Sequence, residues 1–157
     1  MSHLSVLKDP TPSLRTPSVD VPVSDIGSPR LQELMANMVE TMKLENGVGI
    51  AAPQVGVNER VIIVEGGRGP EAFVNPKIVA KSFGKVDSEE GCLSVPGVYG
   101  IVKRHKKVKV EAYDKTGVKR TMAVHGFPAI IFQHEIDHLD GVLFVDKVVK
   151  YTQPPKL

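Results

Sequence analysis

The stretch QHEIDHLDG at residues 133–141 concentrates ionisable side chains within a helical pattern. His134 and His138 are four residues apart, so on a helix they lie on one face, one turn apart. Two imidazoles at that spacing can share a metal ion, and Glu135 between them can reach a metal-bound water. The alternative is a partly exposed polar helix with ordinary hydrogen bonds. Apolar neighbours indicate a buried helix, where such groups need partners, so we favour a metal site.

Cys92, the only cysteine in the chain, can supply a third ligand. A free cysteine is most often a small buried apolar residue, which is the alternative here. A thiolate, however, is an excellent ligand for zinc or iron, and with His134 and His138 it gives three protein ligands and one open position. Open positions are typical of catalytic sites, where the metal acidifies a bound water. Cys92 precedes His134 by 42 residues, so only the fold can bring them together.

The segment GVGIAAPQVG at residues 47–56 contains a second pattern of interest. Its G-x-G-x-x-A spacing is that of a dinucleotide-binding loop, and Glu65 lies where a ribose-binding acid would be expected. Such a loop must follow a strand and open a helix, whereas this one follows a predicted helix and leads through Pro53 and Gly56 to a strand. We therefore reject dinucleotide binding. We predict a loop whose glycines allow a ligand to approach the backbone, with Gln54 as an amide donor.

An extended arm and a helix are predicted at the start of the chain. Residues 1–27 hold four prolines, which disfavour helix and predict an arm lying across the surface. Ser28 can cap the following helix, and Gly47 can end it after Asn46. A methionine-rich stripe can form a binding groove, but helical periodicity favours burial in the core. The stripe consists of Leu31, Leu34, Met35, Met38, Val39 and Met42.

Strand patterns dominate residues 57–124. ERVIIVE is a continuous apolar run, EAFVNPKIVAKS follows a glycine turn, and KKVKVEAYDKTGVKRTMAV alternates on both sides of DKTG as a hairpin does. The basic stretch KRHKKVK at residues 103–109 can contact RNA, but in an alternating strand its lysines are expected to form a solvated face. Gly126 and Pro128 introduce a second helix that ends at Gly141, and VLFV then predicts a short strand. This order indicates an α+β fold rather than βαβ units.

The composition is typical of a globular protein, with 41% hydrophobic and 24% charged residues in 157. We expect a single domain with a sizeable core. The net charge of +2 indicates neither DNA nor an acidic membrane as a partner, and no apolar run is long enough for a membrane span. The first residues lack the basic and apolar regions of a secretory signal, so we expect a cytoplasmic protein.

GVGIAAPQ, EGCLSVP and QHEIDHLDG together resemble the three signature motifs of the peptide deformylases, in that family's order. The similarity extends from the proline-rich arm to about residue 146. It implies an α+β fold in which a central metal-binding helix packs among antiparallel β-sheets, with an N-terminal helix, in one catalytic domain over residues 1–157. The implied reaction is co-translational hydrolysis of the N-formyl group from the N-terminal formyl-methionine of nascent polypeptides, which releases formate.

The resemblance also implies roles for individual residues. One divalent metal, most often ferrous iron in the family, with Zn²⁺, Ni²⁺ or Co²⁺ as substitutes, would provide a metal-bound hydroxide as the nucleophile. Glu135 would act as general base and then as general acid. The Gln54 amide and the backbone N–H of Leu93 would stabilise the oxyanion. The metal ligands would be Cys92, His134 and His138.

Substrate binding is a further implication of the resemblance. The formyl-methionyl peptide would lie as an extended strand against the backbone of Val48, Gly49 and Ile50. Val48, Ile130 and His134 would line a pocket for the methionine side chain. Contacts to the peptide backbone do not depend on the peptide's side chains, which suits an enzyme that acts on many nascent chains.

The end of the chain departs from the family pattern. Many bacterial deformylases continue after the third motif into a long C-terminal helix. Residues 147–157 here predict only a short tail without a C-terminal helix, since Pro154 and Pro155 would stop one. A transient ribosome contact would therefore have to form without that helix.

Two other functions share parts of this pattern. A zinc peptidase also places two histidines and a glutamate on a helix, but its third ligand is generally His or Glu rather than Cys. An inactive module that binds N-terminal peptides would often have lost Glu135 or Gln54, and both are present. We therefore expect cleavage of formyl-methionyl peptides and not of internal peptide bonds.

Overall fold

The computed structural model describes residues 2–153 of the chain. Within these residues, helices α1 (Pro29–Leu44) and α2 (Gly126–Leu139) accompany eight β-strands. The strands are β1 (Gly49–Ala51), β2 (Val61–Glu65), β3 (Pro70–Lys81), β4 (Lys85–Cys92), β5 (Val95–His105), β6 (Lys107–Tyr113), β7 (Lys119–His125) and β8 (Val148–Gln153). The architecture is α+β, as the sequence predicts.

The strands form two antiparallel sheets. Five strands build the larger sheet in the order β1-β2-β3-β6-β7, and three build the smaller sheet in the order β4-β5-β8. The hairpin predicted around DKTG is confirmed, because β6 and β7 pair with Val110 opposite Met122 and Tyr113 opposite Lys119. Strand β1 lies at an edge of the larger sheet, and an edge strand can pair with a further extended chain.

The larger sheet is covered by a helix on each face. Val61 and Ile63 of β2 share a buried cluster with α1, whereas Ile62 and Val64 share one with α2. Burial on both faces explains why ERVIIVE is continuously apolar instead of alternating. The methionine-rich stripe of α1 is core, as predicted, and its fully or nearly fully buried residues are Leu31, Leu34, Met35, Met38 and Met42.

Helix α1 has the predicted N-terminus and a slightly different end. The Ser28 side chain accepts a hydrogen bond from the backbone N–H of Leu31 at 3.3 Å, which is the predicted cap. The helix ends at Leu44, and Asn46 instead of Gly47 takes the left-handed backbone conformation with φ of 57°. Asparagine tolerates this conformation better than most residues, so the stop lies one residue before the predicted glycine.

Helix α2 lies between the two sheets. Ile131, Phe132 and Leu139 pack into the core of the larger sheet, while His134 and Asp137 bond to side chains of the smaller sheet. This is the predicted central helix among antiparallel sheets. Neither helix found in residues 2–153 meets the length and hydropathy that a bilayer-spanning segment requires.

The predicted strand VLFV is wrong. Phe144–Asp146 forms a 3₁₀ turn, and the Asp146 carboxylate accepts the backbone N–H of Leu143 at 3.0 Å. Leu143 and Phe144 are buried, so their apolar character reflects the core and not strand pairing. The predicted tail instead supplies β8, which pairs with β5. No C-terminal helix occurs within residues 2–153, and the two prolines predicted to stop one lie outside the described residues.

The proline-rich arm contributes to the core as well as to the surface. Two 3₁₀ turns, Pro12–Arg15 and Val23–Asp25, interrupt its extended chain. Leu14, Val21 and Ile26 are at most 1% exposed. The prediction of an arm lying across the surface is therefore incomplete, because apolar residues near these turns are inserted between the other elements.

The segment predicted as a loop at residues 47–56 is largely ordered. Its first part is β1, which pairs with β2, and Ala52–Val55 forms a 3₁₀ turn with Pro53 near its start. Gly56 follows with φ of 86°, a conformation that glycine adopts without strain. No α-helix lies between this segment and β2, which agrees with the rejection of dinucleotide binding.

Candidate metal centre

The three motif segments meet at one point of the structure. Cys92 ends β4, while His134 and His138 lie one turn apart on α2. The metal-ligating atoms of these three residues all lie within 4.8 Å of one another. Cys92 Sγ is 3.3 Å from His138 Nε2. The packing of α2 against the smaller sheet thus brings a cysteine and two histidines together from distant parts of the chain.

The cluster fits a divalent metal ion by its chemistry. Burial lowers the pKa of His138 well below its usual value, and a neutral imidazole is what ligation requires. Nε2 of His138 is the ring nitrogen that faces Cys92, while its Nδ1 has no hydrogen-bond partner among the described residues. One thiolate and two imidazoles are ligands that suit zinc or iron. Three protein ligands also match catalytic sites, which keep a position for water or substrate.

Glu90 orients one of the two histidines. Its carboxylate lies 2.8 Å from His134 Nδ1, and a ring that donates from Nδ1 has Nε2 available as a ligand atom. Burial opposes ionisation of Glu90, but hydrogen bonds from Arg104 and His134 outweigh it and lower its pKa to about 2. Burial also opposes the charge of His134, but hydrogen bonds to Cys92 and Glu90 raise its pKa to about 10. The surroundings therefore favour a positive charge at His134, and a metal ion would supply that charge in place of the ring proton.

Arg104 connects two acidic side chains beside the cluster. Its guanidinium donates from Nε and Nη2 to the two Glu90 oxygens at 2.8 Å each. Nη1 donates to Asp137 Oδ2 at 2.7 Å, and Lys147 Nζ lies 3.0 Å from the same oxygen. Arg104 is only 2% exposed. The lysines of residues 103–109 are exposed, as predicted, whereas Arg104 follows buried Val102 at the spacing of a strand and faces inward.

The sequence interpretation missed Glu90 and Arg104. Strand alternation could have indicated both, because Glu90 lies two residues before Cys92 and Arg104 two residues after an apolar position. Their pairing depends on the register of β4 against β5, in which Glu90 lies opposite Gly100. No local pattern in either strand specifies that register.

Glu135 lies beside the cluster with one carboxylate oxygen that no described residue hydrogen-bonds. It is 4% exposed, and its Oε2 has no hydrogen-bond partner among the described residues. Burial raises the pKa of Glu135 to about 7, near the pH at which one carboxyl can both accept and donate a proton. A Cβ on Gly49 would lie 2.8 Å from Glu135 Oε1, so only glycine lets β1 approach this carboxylate.

The Gln54 amide is held with its nitrogen toward Cys92. Its Oε1 accepts the backbone N–H of Ala51 at 2.9 Å, and its Nε2 donates to Ser94 Oγ at 3.1 Å. The same Nε2 lies 3.7 Å from Cys92 Sγ. Gln54 and Ser94 are both buried. The position of the amide donor is thus fixed by the 3₁₀ turn and by a serine that the sequence interpretation did not single out.

A cavity of about 560 Å³ opens beside the cluster. Strand β1 borders it, and Ile50 alone among the predicted substrate-binding residues does not line it. The side chain of Ile50 is fully buried in the core, so any contact of this residue with a peptide must come from its backbone. The predicted residues that line the cavity are Val48, Gly49, Gln54, Cys92, Leu93, Ile130, His134 and Glu135.

Comparison with known proteins gives a consistent result. A family model described as Polypeptide deformylase matches residues 3–154. A peptide deformylase of Desulfitobacterium hafniense is 48% identical over 130 residues, which cover 83% of this chain and 85% of that protein. One of Desulforudis audaxviator is 43% identical over 148 residues, 94% of each chain. A Met-Ala-Ser-bound class I type b peptide deformylase structure from Acinetobacter baumannii has a TM-score of 0.89 at 40% identity, covering 94% of this chain and 100% of that one.

Proposed function

Because this chain belongs to the polypeptide deformylase family, we propose that the cluster of Cys92, His134 and His138 is its catalytic metal centre. The protein is a metallo-hydrolase, and its family supports removal of the N-formyl group from nascent polypeptides. The observation that carries the proposal is the position of Glu135 beside the three candidate ligands. Its buried Oε2 has no hydrogen-bond partner among the described residues. Water adds to the formyl carbon, the C–N bond breaks, and formate and a free amine are released.

Cys92, His134 and His138 would hold one divalent ion. When bound, such an ion lowers the pKa of a water molecule from that of bulk water to about 7 and polarises the formyl oxygen. The family resemblance favours ferrous iron, while the ligand set also suits zinc, nickel or cobalt. Glu90, fixed by Arg104, keeps the His134 ring in the orientation that ligation needs.

Glu135 handles the proton in this mechanism. Its carboxylate accepts a proton from the attacking water and then delivers it to the amine that leaves, so it is general base and general acid in turn. The close approach of Gly49 holds the carboxylate against α2. Because Glu135 is rotated along α2 from the face that the two histidines share, it would lie beside the ligands and not among them.

Two donors would stabilise the negative charge that develops on the formyl oxygen. One is Nε2 of Gln54, directed toward Cys92 by the hydrogen bond that Gln54 Oε1 accepts from Ala51. The other is the backbone N–H of Leu93, next to Cys92 at the cavity wall. Donors fixed in advance need no reorganisation when the charge appears, which is why such groups accelerate acyl transfer.

The peptide would bind along the edge of β1. An extended chain there can pair with the backbone of Val48, Gly49 and Ile50, so recognition does not depend on most side chains. Val48, Ile130 and His134 would line the pocket for the methionine side chain. The Acinetobacter baumannii structure that holds Met-Ala-Ser supports a short methionyl peptide as the occupant of the corresponding cavity.

The setting of the reaction follows from the substrate. We propose one catalytic domain over residues 1–157 that acts in the cytoplasm on N-formyl-methionyl peptides as they are synthesised. Among residues 2–153, the segment after α2 forms a 3₁₀ turn and β8, so a transient contact that this segment makes with the ribosome would not involve a helix.

An anaerobic preparation with metal analysis tests this proposal directly. Formate release from a formyl-Met-Ala-Ser peptide should accompany about one equivalent of metal, and a chelator should abolish both. The same peptide without the formyl group serves as the control for a zinc peptidase, because internal cleavage of it would contradict deformylation. Binding of the formyl peptide without formate release would instead identify an inactive binding module.

A further inference from the structure

Two neighbouring turns at one end of the sheets gather exposed lysines around an exposed aromatic ring. Residues 82–84 join β3 to β4, and Lys106 joins β5 to β6. We call the group Lys81, Phe83, Lys85, Lys106 and Lys107 the basic tip. All five side chains are exposed, and Phe83 is as exposed as in an extended chain, at 104%. A fully exposed phenylalanine contributes nothing to the core, and its ring lies free for a partner among four lysines.

The two turns are bonded to each other and form one unit. The backbone N–H of Lys106 donates to Gly84 O at 3.1 Å, and the backbone N–H of Ser82 donates to Lys107 O at 2.9 Å. The backbone N–H of Lys107 also donates to Ser82 Oγ at 3.1 Å. These bonds fix the backbone from which the lysines and the ring project, so little backbone entropy would be lost when a partner binds.

The charge of the basic tip is unbalanced. Within residues 2–153, none of its four lysines lies within salt-bridge distance of a carboxylate, whereas the nearby Lys103 contacts Asp87. The four lysines contribute +4 and the whole chain carries +2, so the remainder carries −2. Lys77 and Lys109, both exposed, extend the positive surface along β3 and β6. Such clustering of one sign attracts a polyanion.

We propose that the basic tip binds RNA, with its lysines on phosphates and Phe83 stacked on an unpaired base. Lysines beside an exposed aromatic ring are what single-stranded nucleic acid binding requires. An anionic membrane would need a broader apolar face than one ring supplies. The choice of RNA rests on the proposed function, because an enzyme of nascent chains works where structured RNA is abundant.

The position of the basic tip leaves the catalytic cavity accessible. Strand β4 runs the eight residues from Lys85 to Cys92, so about 23 Å separates the tip from the metal ligand at roughly 3.3 Å per residue. A protein bound to RNA through this tip could therefore still take a peptide at β1. Substitutions at the tip also touch none of the residues that we assign to catalysis.

A fluorescent single-stranded RNA of mixed sequence and the metal-loaded full chain test the proposal. Four phosphate contacts predict a slope of log K against log salt of about −2.8, that is, about 50-fold weaker binding at about 200 mM than at about 50 mM salt. Replacing all four tip lysines by glutamine should remove most of this binding and flatten the slope. The matched control removes the same charge elsewhere, through Lys43→Gln, Lys115→Gln, Lys119→Gln and Lys150→Gln.

Phe83 variants separate stacking from charge. Phe83→Ala should weaken binding of single-stranded RNA about 5- to 150-fold, since stacking on one base contributes about 1–3 kcal/mol. Phe83→Tyr, which keeps the ring, should bind as the unchanged protein does, and blunt duplex RNA should not respond to either substitution.

Three outcomes would overturn the proposal. The first is an absence of RNA binding at about 50 mM salt. The second is an equal loss of RNA binding in the control variant. The third is binding to phosphatidylserine vesicles without binding to RNA, which would identify a membrane surface. Formate release is measured on every variant in the absence of RNA and should be unchanged. Absence of deformylase activity in the unchanged protein would contradict the proposed function and leave the binding result standing.

Discussion

The Gln54 amide shows how a single residue is given its chemistry by its neighbours. Its Oε1 accepts the backbone N–H of Ala51. Its Nε2 donates to Ser94 Oγ and lies 3.7 Å from Cys92 Sγ. Gln54→Ala should lower kcat about 100- to 1000-fold with little change in KM, because an oxyanion donor acts mainly on charge that develops in the transition state. Steady-state kinetics of formate release measures both constants.

A remote amide provides the control for this substitution. Gln32 bonds to the carbonyl oxygens of Ile26 and Lys115, away from the cavity that Gln54 lines. Gln32→Ala should leave kcat within about twofold of the unchanged protein if surface substitutions act only on stability. A Gln54 variant altered only in KM would contradict the oxyanion role.

Cys92 is expected to determine how tightly the metal is held. Cys92→Ser should retain less than the full equivalent of metal after dialysis, because an alcohol is a far weaker ligand than a thiolate. Metal content per chain and formate release are measured on the same dialysed sample. Full occupancy together with full activity would mean that Cys92 is a structural residue.

For single residues, spacing along the sequence predicted which side chains meet on a helix face, but the sequence did not predict which side chains pair across separate segments. Two histidines four apart on a helix indicate a shared ligand site by their spacing alone, and the fold brings them together with Cys92. The partners Glu90, Arg104 and Ser94 were missed. Each acts through contacts that depend on how separate segments pack, and a single sequence does not contain that information in a local pattern.

Secondary-structure elements were predictable where the hydrophobic pattern had one explanation. The stripe of α1 and the alternation of β6 and β7 each matched one periodicity, and the structure confirms these elements. VLFV was ambiguous, because a short apolar run fits a strand or any buried segment. The Asp146 carboxylate closes a turn there instead, so the side-chain hydrogen bond decided the conformation.

The contact between α2 and the smaller sheet depends on Arg104. Arg104→Ala would leave the buried Glu90 carboxylate with His134 as its remaining partner, and partly buried Asp137 with Lys147. Breaking a buried ion pair in this way costs about 3–5 kcal/mol, which corresponds to a fall in Tm of roughly 6–20 °C for a chain of this size. Thermal unfolding of the metal-loaded protein measures the change.

The adjacent lysine is a matched control for Arg104. Lys103 makes an exposed ion pair with Asp87, and exposed pairs contribute at most about 1 kcal/mol. Lys103→Ala should therefore shift Tm by no more than about 4 °C. Equal shifts for the two variants would show that the buried pairs do not stabilise this junction.

Across the whole molecule, the proline-rich arm joins the three motif segments. Its backbone N–H groups donate to Gln54 O from Leu7 at 2.7 Å, to Ser94 O from Asp9 at 2.9 Å, and to Leu139 O from Ser18 at 2.8 Å. These contacts were not predictable from the sequence, because backbone donors leave no side-chain signature. An arm that was predicted to lie on the surface is thus bonded to every segment that forms the site.

Leu14 anchors this arm in the core and tests its importance. Leu14→Ala removes a fully buried side chain and should cost about 2–5 kcal/mol, or roughly 4–20 °C in Tm. Leu44, which is 57% exposed at the end of α1, provides the control through Leu44→Ala. If chemical denaturation gave both variants the same stability, the arm would be an addition to the fold and not part of it.

We propose that this fold assembles a metal centre whose proton transfer depends on Glu135. The most direct test is Glu135→Ala, with metal content, Tm and formate release measured on one preparation and with exposed Glu33→Ala as the control. The three ligands remain in the variant, so metal content and folding should stay near those of the unchanged protein. Formate release should fall about 100- to 10,000-fold, the contribution of a general acid–base group. A metal-loaded Glu135→Ala protein that still releases formate at the full rate would contradict the account.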